Sequence, residues 1–393
     1  MKNIRCSLRA LCVLRGSREF EPVRELLALL DSLPDGAPSR QADAAGAFAA
    51  SLLPYDASLH RAITDYLRNS PNVFSEKFLK GSQDTGLEDM LHTELSLLAE
   101  ACTISPGDIA REISYSGYLP FWHAQSGDLF RPYMEFLADA RQHGFGIYRG
   151  HSMFLIENGE IVPVLHPDPI ALKDLHGYER QRQTVMQNTA LLLSGGPASN
   201  ILLYGDSGTG KSSTVKAVAS HYAPAGLRLI EVRKSQLHEI PQLLADLADK
   251  TLKFILFIDD LSFTEEDDNF AALKGILEGS VLSRAANVVI YATSNRRRLI
   301  RESFADRGSD AVHANETIQQ QTALSDRFGI TLPFMVPKKD TYLEIVAKLA
   351  EDQHIPEDVL FAGAERFALE RGGRSGRVAR QYVDQLHLDE AQI

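Results

Sequence analysis

A run of glycines and small polar residues in the middle of the chain ends in a lysine and a serine. Residues 205–212 read Gly-Asp-Ser-Gly-Thr-Gly-Lys-Ser and fit the pattern GxxxxGK[ST]. Glycine lets backbone N–H groups approach a phosphate without a Cβ in the way. Lys211 is expected to reach the β- and γ-phosphates of a nucleotide, and Ser212 to ligate Mg²⁺. The run therefore predicts a P-loop that binds ATP and Mg²⁺. The residues predicted to contact the nucleotide are Gly205, Asp206, Ser207, Gly208, Thr209, Gly210, Lys211, Ser212 and Ser213.

The neighbours of this run are those that a P-loop requires. Ile201–Tyr204 is a short apolar stretch typical of a buried strand, and a helical pattern follows the run. The N-terminus of that helix would add partial positive charge to the phosphate site. A glycine-rich turn that binds nothing is the alternative, and the strand, turn and helix in sequence disfavour it.

Two acidic residues follow a second apolar stretch. Phe254–Ile258 is apolar throughout and leads directly into Asp259 and Asp260, which is a Walker B pattern. A carboxylate at this point can hold hydrated Mg²⁺, a role we assign to Asp259. Asp260 is expected to polarise the attacking water. Two acids after a strand are more often a solvated turn, but their position after a P-loop favours the catalytic interpretation.

The elements around these motifs alternate between strands and helices. Such alternation indicates a parallel sheet with helices on both faces. We therefore predict an α/β core with a five-stranded parallel sheet and the P-loop at its C-terminal edge. The predicted strands are Ile201–Tyr204, Leu227–Val232, Phe254–Ile258, Val288–Ala292 and Ile330–Phe334.

The regions on either side of this core are predicted to be helical. Residues 1–165 carry apolar residues at three- and four-residue spacing, and they end in a hairpin whose turn is Asn158-Gly159. A proline-rich segment marks a boundary, so the ATPase core is assigned to residues 166–337. Residues 338–393 are predicted to form a helical lid subdomain, because no strand pattern occurs there.

Further motifs give the chain a resemblance to a known class. Residues 174–377 resemble an AAA+ module in the segments ILLYGDSGTGKSS, IDDLSF, YATSNRR and LSDRFG. The whole chain is most similar to a bacterial domain-of-unknown-function family of predicted AAA+ superfamily ATP-binding proteins. The resemblance implies a P-loop NTPase core with a C-terminal lid and a mainly helical N-terminal extension. AAA+ proteins commonly carry Glu where this chain has Asp260, a difference that leaves the rate of hydrolysis open.

The resemblance also implies roles for three further positions. Asn295 corresponds to sensor 1, which orients the attacking water or reads the γ-phosphate, and Thr293 is the second choice. Arg327 corresponds to the arginine finger, which acts in the ATP site of a neighbouring subunit. Arg377 corresponds to sensor 2, with Arg374 as its competitor. A strand-end turn, a surface salt bridge and a solvated basic face are the respective alternatives.

The resemblance places the adenine contact upstream of the P-loop, in the segment Leu175–Glu179. Gly177 and Tyr178 occupy the place where AAA+ proteins contact the base. A short basic run, Arg296–Arg298 with Arg301, follows sensor 1. It could touch nucleic acid, but a subunit interface or a solvated face is the favoured interpretation.

Composition limits the remaining possibilities. The chain has 393 residues, a formal net charge of −11, 44% apolar residues and three cysteines. The acidic balance argues against a surface built to neutralise a phosphate backbone along its length. The few cysteines fit a reducing compartment, and no apolar run reaches the length of a membrane span. We expect a cytoplasmic protein that does not bind membranes.

The predicted function is Mg-ATP binding and hydrolysis coupled to remodelling or loading of a macromolecular partner. The client would be a protein or a nucleic acid, and a homo-oligomer is required if Arg327 acts in trans. A nucleotide-dependent binding module with little turnover is the alternative, because Asp260 is shorter than Glu. The sensor, finger and lid motifs argue against a small-molecule kinase.

Overall fold

The computed structural model describes residues 2–34, 36–113, 115, 117–263, 268–278, 285–295, 327–353 and 355–390. These residues fall into two compact units, Met1–Arg149 and Gly150–Ile393. The basic run at residues 296–301 lies outside the described residues, and so do Leu324, Ser325 and Asp326 of the predicted arginine-finger motif.

The first unit is helical, as the spacing of its apolar residues predicts. Phe48 packs edge-on against the buried Trp122 at a ring distance of 5.1 Å, and Leu91, Leu95 and Leu98 form one buried helix face. These positions recur every three to four residues, so they lie on one side of a helix. The helices are α1 (Lys2–Arg9), α2 (Glu21–Ser32), α3 (Pro38–Leu52), α4 (Leu59–Asn69), α5 (Val73–Leu79), α6 (Thr85–Ala101), α7 (Pro106–Glu112) and α8 (Phe130–His143).

A buried carboxylate fixes the loop that follows α1. Glu94, on α6, is only 7% exposed. Its two oxygens accept hydrogen bonds from the backbone N–H groups of Cys12, Val13 and Leu14, at 2.7, 3.1 and 2.8 Å. Three donors compensate the desolvation of a buried charge, which is otherwise costly.

The second unit contains the predicted α/β core and lid, but it begins at Gly150 and not at residue 166, because the hairpin pairs with the sheet of the core. All five predicted strands are present, and each pairs in parallel with its neighbours. The elements are β1 (Met153–Glu157), β2 (Glu160–Pro163), α9 (Glu179–Leu193), β3 (Ile201–Gly205), α10 (Lys211–Tyr222), β4 (Leu227–Glu231), α11 (Ile240–Ala248), β5 (Lys253–Ile258), α12 (Asp268–Glu278), β6 (Val288–Ser294), β7 (Ile330–Phe334), α13 (Lys339–Leu349), α14 (Glu357–Glu370) and α15 (Gly376–Glu390).

The sheet has seven strands in the order β2-β1-β4-β5-β6-β3-β7, two more than the five predicted. The extra pair is the hairpin that the sequence placed at the end of the N-terminal region. Its turn has the expected positive φ at Asn158 (52°) and Gly159 (81°). β1 then pairs in parallel with β4, with Met153 opposite Leu229. Local sequence predicts the hairpin, but its docking onto a strand far along the chain depends on tertiary contacts.

The register of the central strands brings the predicted motifs to one edge. Tyr204 of β3 lies opposite Ser294 of β6, and Ile258 of β5 lies opposite Ala292. Because these strands run in parallel, the residues that follow them meet at the C-terminal edge of the sheet. The P-loop, the two acids after β5 and Asn295 therefore converge.

The helices α13, α14 and α15 form a small subdomain with its own core. Tyr342, Ile345, Phe367 and Tyr382 are buried within it. The hydroxyls of Tyr342 and Tyr382 donate to the carbonyls of Ala364 and Leu360, both at 3.1 Å. The predicted helical lid is confirmed as an element of the fold.

Candidate nucleotide-binding site

A cavity of about 470 Å³ lies at the C-terminal edge of the sheet and is bounded by the lid. Its volume is in the range of sites that hold a small ligand. The residues that line it are Asp174, Leu175, His176, Ser207, Gly208, Thr209, Gly210, Lys211, Ser212, Ser213, Asp259, Asp260, Thr293, Asn295, Ile345, Leu349, Gly376, Arg377 and Arg380.

Two P-loop glycines have positive φ and lie close to neighbouring elements. A Cβ at Gly205, where φ is 136°, would lie 2.2 Å from the carbonyl oxygen of Phe334 on β7. At Gly208, where φ is 76°, a Cβ would lie 3.1 Å from Ser375 Oγ and 3.2 Å from Arg377 Cβ. The loop is therefore packed against β7 on one side and against the start of α15 on the other.

Lys211 begins α10 and lies deep in the site. It is 7% exposed, and its Nζ donates to the carbonyl oxygens of Gly205 and Asp206, both at 2.7 Å. Nζ also donates to Asn295 Oδ1 at 3.2 Å. Burial lowers the pKa of Lys211, and the nearby carboxylates oppose that shift. The ammonium group thus bridges the P-loop and the end of β6.

Ser212 and Asp259 are in direct contact. The Ser212 hydroxyl donates to Asp259 Oδ1 at 2.6 Å. A hydroxyl and a carboxylate are hard oxygen donors of the kind that Mg²⁺ prefers. The pair therefore fits the predicted Mg²⁺ site, with the remaining ligands left to phosphate oxygens and water.

Asn295 connects the second acid to the lysine. Its Nδ2 donates to Asp260 Oδ1 at 2.8 Å, while its Oδ1 accepts from Lys211. Thr293, two residues earlier on β6, donates to Asp259 Oδ1 and accepts from the backbone N–H of Asp260 at 2.9 Å. Both candidates for sensor 1 therefore contact the Walker B acids.

The lid presents one of its two candidate arginines to the cavity. Arg377 lines the cavity, and its backbone N–H donates to the carbonyl of Gly208 at 3.1 Å. Arg374 instead forms a two-point contact with Glu365, through Nε at 2.8 Å and Nη2 at 2.6 Å. The geometry favours Arg377 as the nucleotide contact.

Seven of the residues that line the cavity were not predicted as site residues, among them Arg380 and His176. Arg380 donates to the carbonyl of Asp174 at 3.2 Å. His176 lies on the same wall, where burial, and then the charges of Lys348, Arg182 and Arg380, lower its pKa. Arg380 follows Arg377 by three positions on one helix, and that spacing could have identified it. His176 lies in the segment Leu175–Glu179 that the resemblance assigns to the adenine contact, but Gly177 and Tyr178 were chosen from that segment instead.

Five predicted residues are absent from the described lining of the cavity: Gly177, Tyr178, Gly205, Asp206 and Arg327. Arg327 precedes β7, whose first residue Ile330 pairs with the first residue of β3, at the opposite end of the strand from the P-loop. The Tyr178 ring stacks on Phe334 at 4.9 Å, and its hydroxyl donates to the carbonyl of Met335. Burial, and then Asp206, raise the pKa of Tyr178 to about 12. The adenine contacts and the arginine finger stay predictions.

The fold and the site together define a P-loop protein of the AAA+ class. The P-loop follows β3, the paired acids follow β5, the polar sensor strand β6 lies between them, and a helical lid closes the unit. The family described as "Protein of unknown function (DUF815)" matches residues 150–389, and the chain belongs to this family.

More distant relatives match a shorter region. The chain is 32% identical over 117 residues to the 26S proteasome regulatory subunit 6B homolog of Schizosaccharomyces pombe (strain 972), covering 25% of this chain and 30% of that protein. It is 31% identical over 117 residues to the probable 26S proteasome regulatory subunit 6B of Caenorhabditis elegans, covering 25% and 28%. The chain thus spans less than a third of the length of these relatives.

A solved structure of the Thermotoga maritima RuvB Holliday junction branch migration motor is similar at 16% identity. Its TM-score is 0.38, and the match covers 56% of this chain and 64% of that one.

Within the described residues, no helix combines the length and the apolar character that a bilayer crossing requires.

Proposed function

We propose that this protein binds Mg-ATP in the cavity at the sheet edge and hydrolyses it to ADP and phosphate. One observation carries the proposal: Lys211, Ser212, Asp259, Asn295 and Arg377 come from four different elements and face one cavity. Such convergence of cations, hydroxyl, carboxylate and amide suits a triphosphate with its magnesium.

The phosphates would be bound by charge and by backbone donors. The N-terminus of α10 and the P-loop amides supply partial positive charge, and Lys211 supplies a full charge. Arg377 would add donors from the lid. Mg²⁺, held by Ser212 and Asp259, would neutralise part of the charge on the phosphates.

Hydrolysis would depend on positioning of the attacking water. We assign that role to Asp260, with Asn295 fixing its carboxylate through the 2.8 Å hydrogen bond. Positioning of this kind supplies much of the rate enhancement in phosphoryl transfer, since the protein forms no covalent intermediate.

The proposal extends to an assembly and a client. Arg327 precedes β7 and would act in the site of a neighbouring copy, so the active form would be a homo-oligomer. We also propose that it is cytoplasmic. The curated relatives are named as regulatory subunits of the 26S proteasome. We propose by analogy that this chain remodels or loads a protein or a nucleic acid.

Steady-state phosphate release tests the central proposal. Lys211→Ala should lower the rate by about 100-fold or more, because it removes a donor from the developing phosphate charge. Lys216→Ala is the matched control, since Lys216 also lies on α10 but pairs with Glu231 at 3.2 Å. Equal rates for the wild type and Lys211→Ala would refute the proposal.

A nucleotide-dependent binding module with little turnover is the second candidate. The short side chain of Asp260, already hydrogen-bonded to Asn295, favours it. Tight ATP binding with no product formed in a single-turnover assay would support this candidate and reject the first. Asp260→Asn in the presence of ATP should retain the bound state, so a pull-down with that variant is the route to the client.

A further inference from the structure

Thr293 lies at the end of β6 and contacts three consecutive residues that follow β5. It is 1% exposed. Its hydroxyl donates to Asp259 Oδ1 and accepts from the N–H of Asp260 at 2.9 Å, and its carbonyl accepts from the N–H of Leu261 at 2.7 Å. One buried residue therefore holds the whole turn that carries the two acids.

That turn contains an uncommon backbone conformation. Asp260 has a φ of 51°, in the left-handed region that residues with a Cβ rarely adopt. Such a conformation persists only where its surroundings enforce it, and it concentrates at functional sites. The bond from the Asp260 N–H to the Thr293 hydroxyl is one such constraint.

The left-handed turn has a consequence for the carboxylate of Asp260. With the backbone held in this conformation, Oδ1 lies 2.8 Å from Asn295 Nδ2, and Asn295 in turn contacts Lys211. The same threonine hydroxyl contacts Asp259, whose Oδ1 also accepts from Ser212 at 2.6 Å. A single hydroxyl therefore touches both the metal-binding acid and the turn of the second acid.

We infer that Thr293 is a positioning residue for both Walker B acids. Its hydroxyl orients Asp259 toward the Mg²⁺ ligand Ser212 and keeps Asp260 in the left-handed conformation that directs its carboxylate to Asn295. The inference rests on the proposed function, which assigns Mg²⁺ binding to Asp259 and water positioning to Asp260. It gives Thr293 a role separate from that of Asn295.

The matched variants are Thr293→Val, which keeps the shape but removes the hydroxyl, and Thr293→Ser, which keeps the hydroxyl. Without Mg²⁺ and nucleotide, the Asp260 amide should exchange with deuterium faster in Thr293→Val, because it loses the shorter of its two acceptors and keeps only Asp259 Oδ1 at 3.1 Å. Half-maximal binding of a fluorescent ATP analogue should then need about 10- to 100-fold more Mg²⁺, the usual cost of losing an outer-shell partner. Thr293→Ser should restore both values to near those of the wild type.

A purely structural role predicts another result. Thr293→Val would then lower the melting temperature but leave the Mg²⁺ requirement and the Asp260 exchange rate of the folded protein unchanged, and the inference would be overturned. Should the valine variant not fold, Thr293→Cys provides a weaker donor and acceptor, with intermediate values expected. Neither measurement requires turnover, so a wild type without phosphate release would reject the ATPase proposal and leave the role of Thr293 testable.

Discussion

Two arginines of the lid have different partners although their sequence context is similar. Arg374 and Arg377 lie three positions apart around the start of α15. The first is held by Glu365, and the second lines the cavity. The sequence could not choose between them, because the choice depends on where α14 places Glu365.

This difference predicts unequal effects on turnover. Arg377→Gln should lower the rate of ATP hydrolysis by about 100-fold, because it removes a cation that faces the phosphates. Arg374→Gln should stay within roughly threefold of the wild type, since it removes an ion pair near the surface. Phosphate release at saturating ATP compares the two. Similar losses in both variants would contradict the assignment of Arg377.

Motif residues were predictable from the sequence, whereas their supporting contacts were not. Lys211, Ser212 and Asp259 could be predicted from spacing, because each has a fixed place within the P-loop or directly after the Walker B strand. The contact of Thr293 with Asp260 depends on the register of β6, and the position of His176 depends on the packing of the lid. Such contacts join residues far apart in sequence and leave no local pattern.

Among the elements, the strands of the core were the most predictable. β5 is buried along almost its whole length, so its apolar run identified it directly. The helices of the first unit were visible as apolar spacing. The loop after α1 was not, because Glu94 comes from a helix more than eighty positions away.

The role of Glu94 predicts a local loss of stability. Glu94→Ala would leave buried N–H groups of Val13 and Leu14 without an acceptor, at a cost on the order of 3 kcal/mol. Deuterium exchange at residues 12–14 should become faster, and the first unit should melt at a lower temperature. Glu100→Ala, on the exposed side of the same helix, is the control and should change neither. Unchanged protection in Glu94→Ala would show that the carboxylate does not hold the loop.

At the level of the whole molecule, a role of Arg327 in trans would require more than one copy. Lys211 and Arg327 would then belong to the same active site only across a subunit boundary. An active site of this composite kind differs from one whose residues all come from a single chain.

Mixing two inactive variants tests the composite site. Arg327→Ala subunits retain the nucleotide cavity, and Lys211→Ala subunits retain the arginine. A random equal mixture should recover about a quarter of the wild-type rate, because that share of contacts pairs an intact cavity with an intact finger. Mixing Arg327→Ala with a subunit that carries both substitutions should recover nothing. No recovery in mixed oligomers verified by pull-down would mean that Arg327 does not act in trans.

The hairpin gives the sheet a border that resists growth. Without it, β4 would be an edge strand with unpaired backbone amides. A strand of another chain could then pair with β4, and such pairing is a common start of aggregation. β2 instead ends the sheet with Glu160 at one end and Pro163 at the other, and a charge and a proline both discourage further pairing. The family match begins at residue 150, so both strands of the hairpin lie within the matched region.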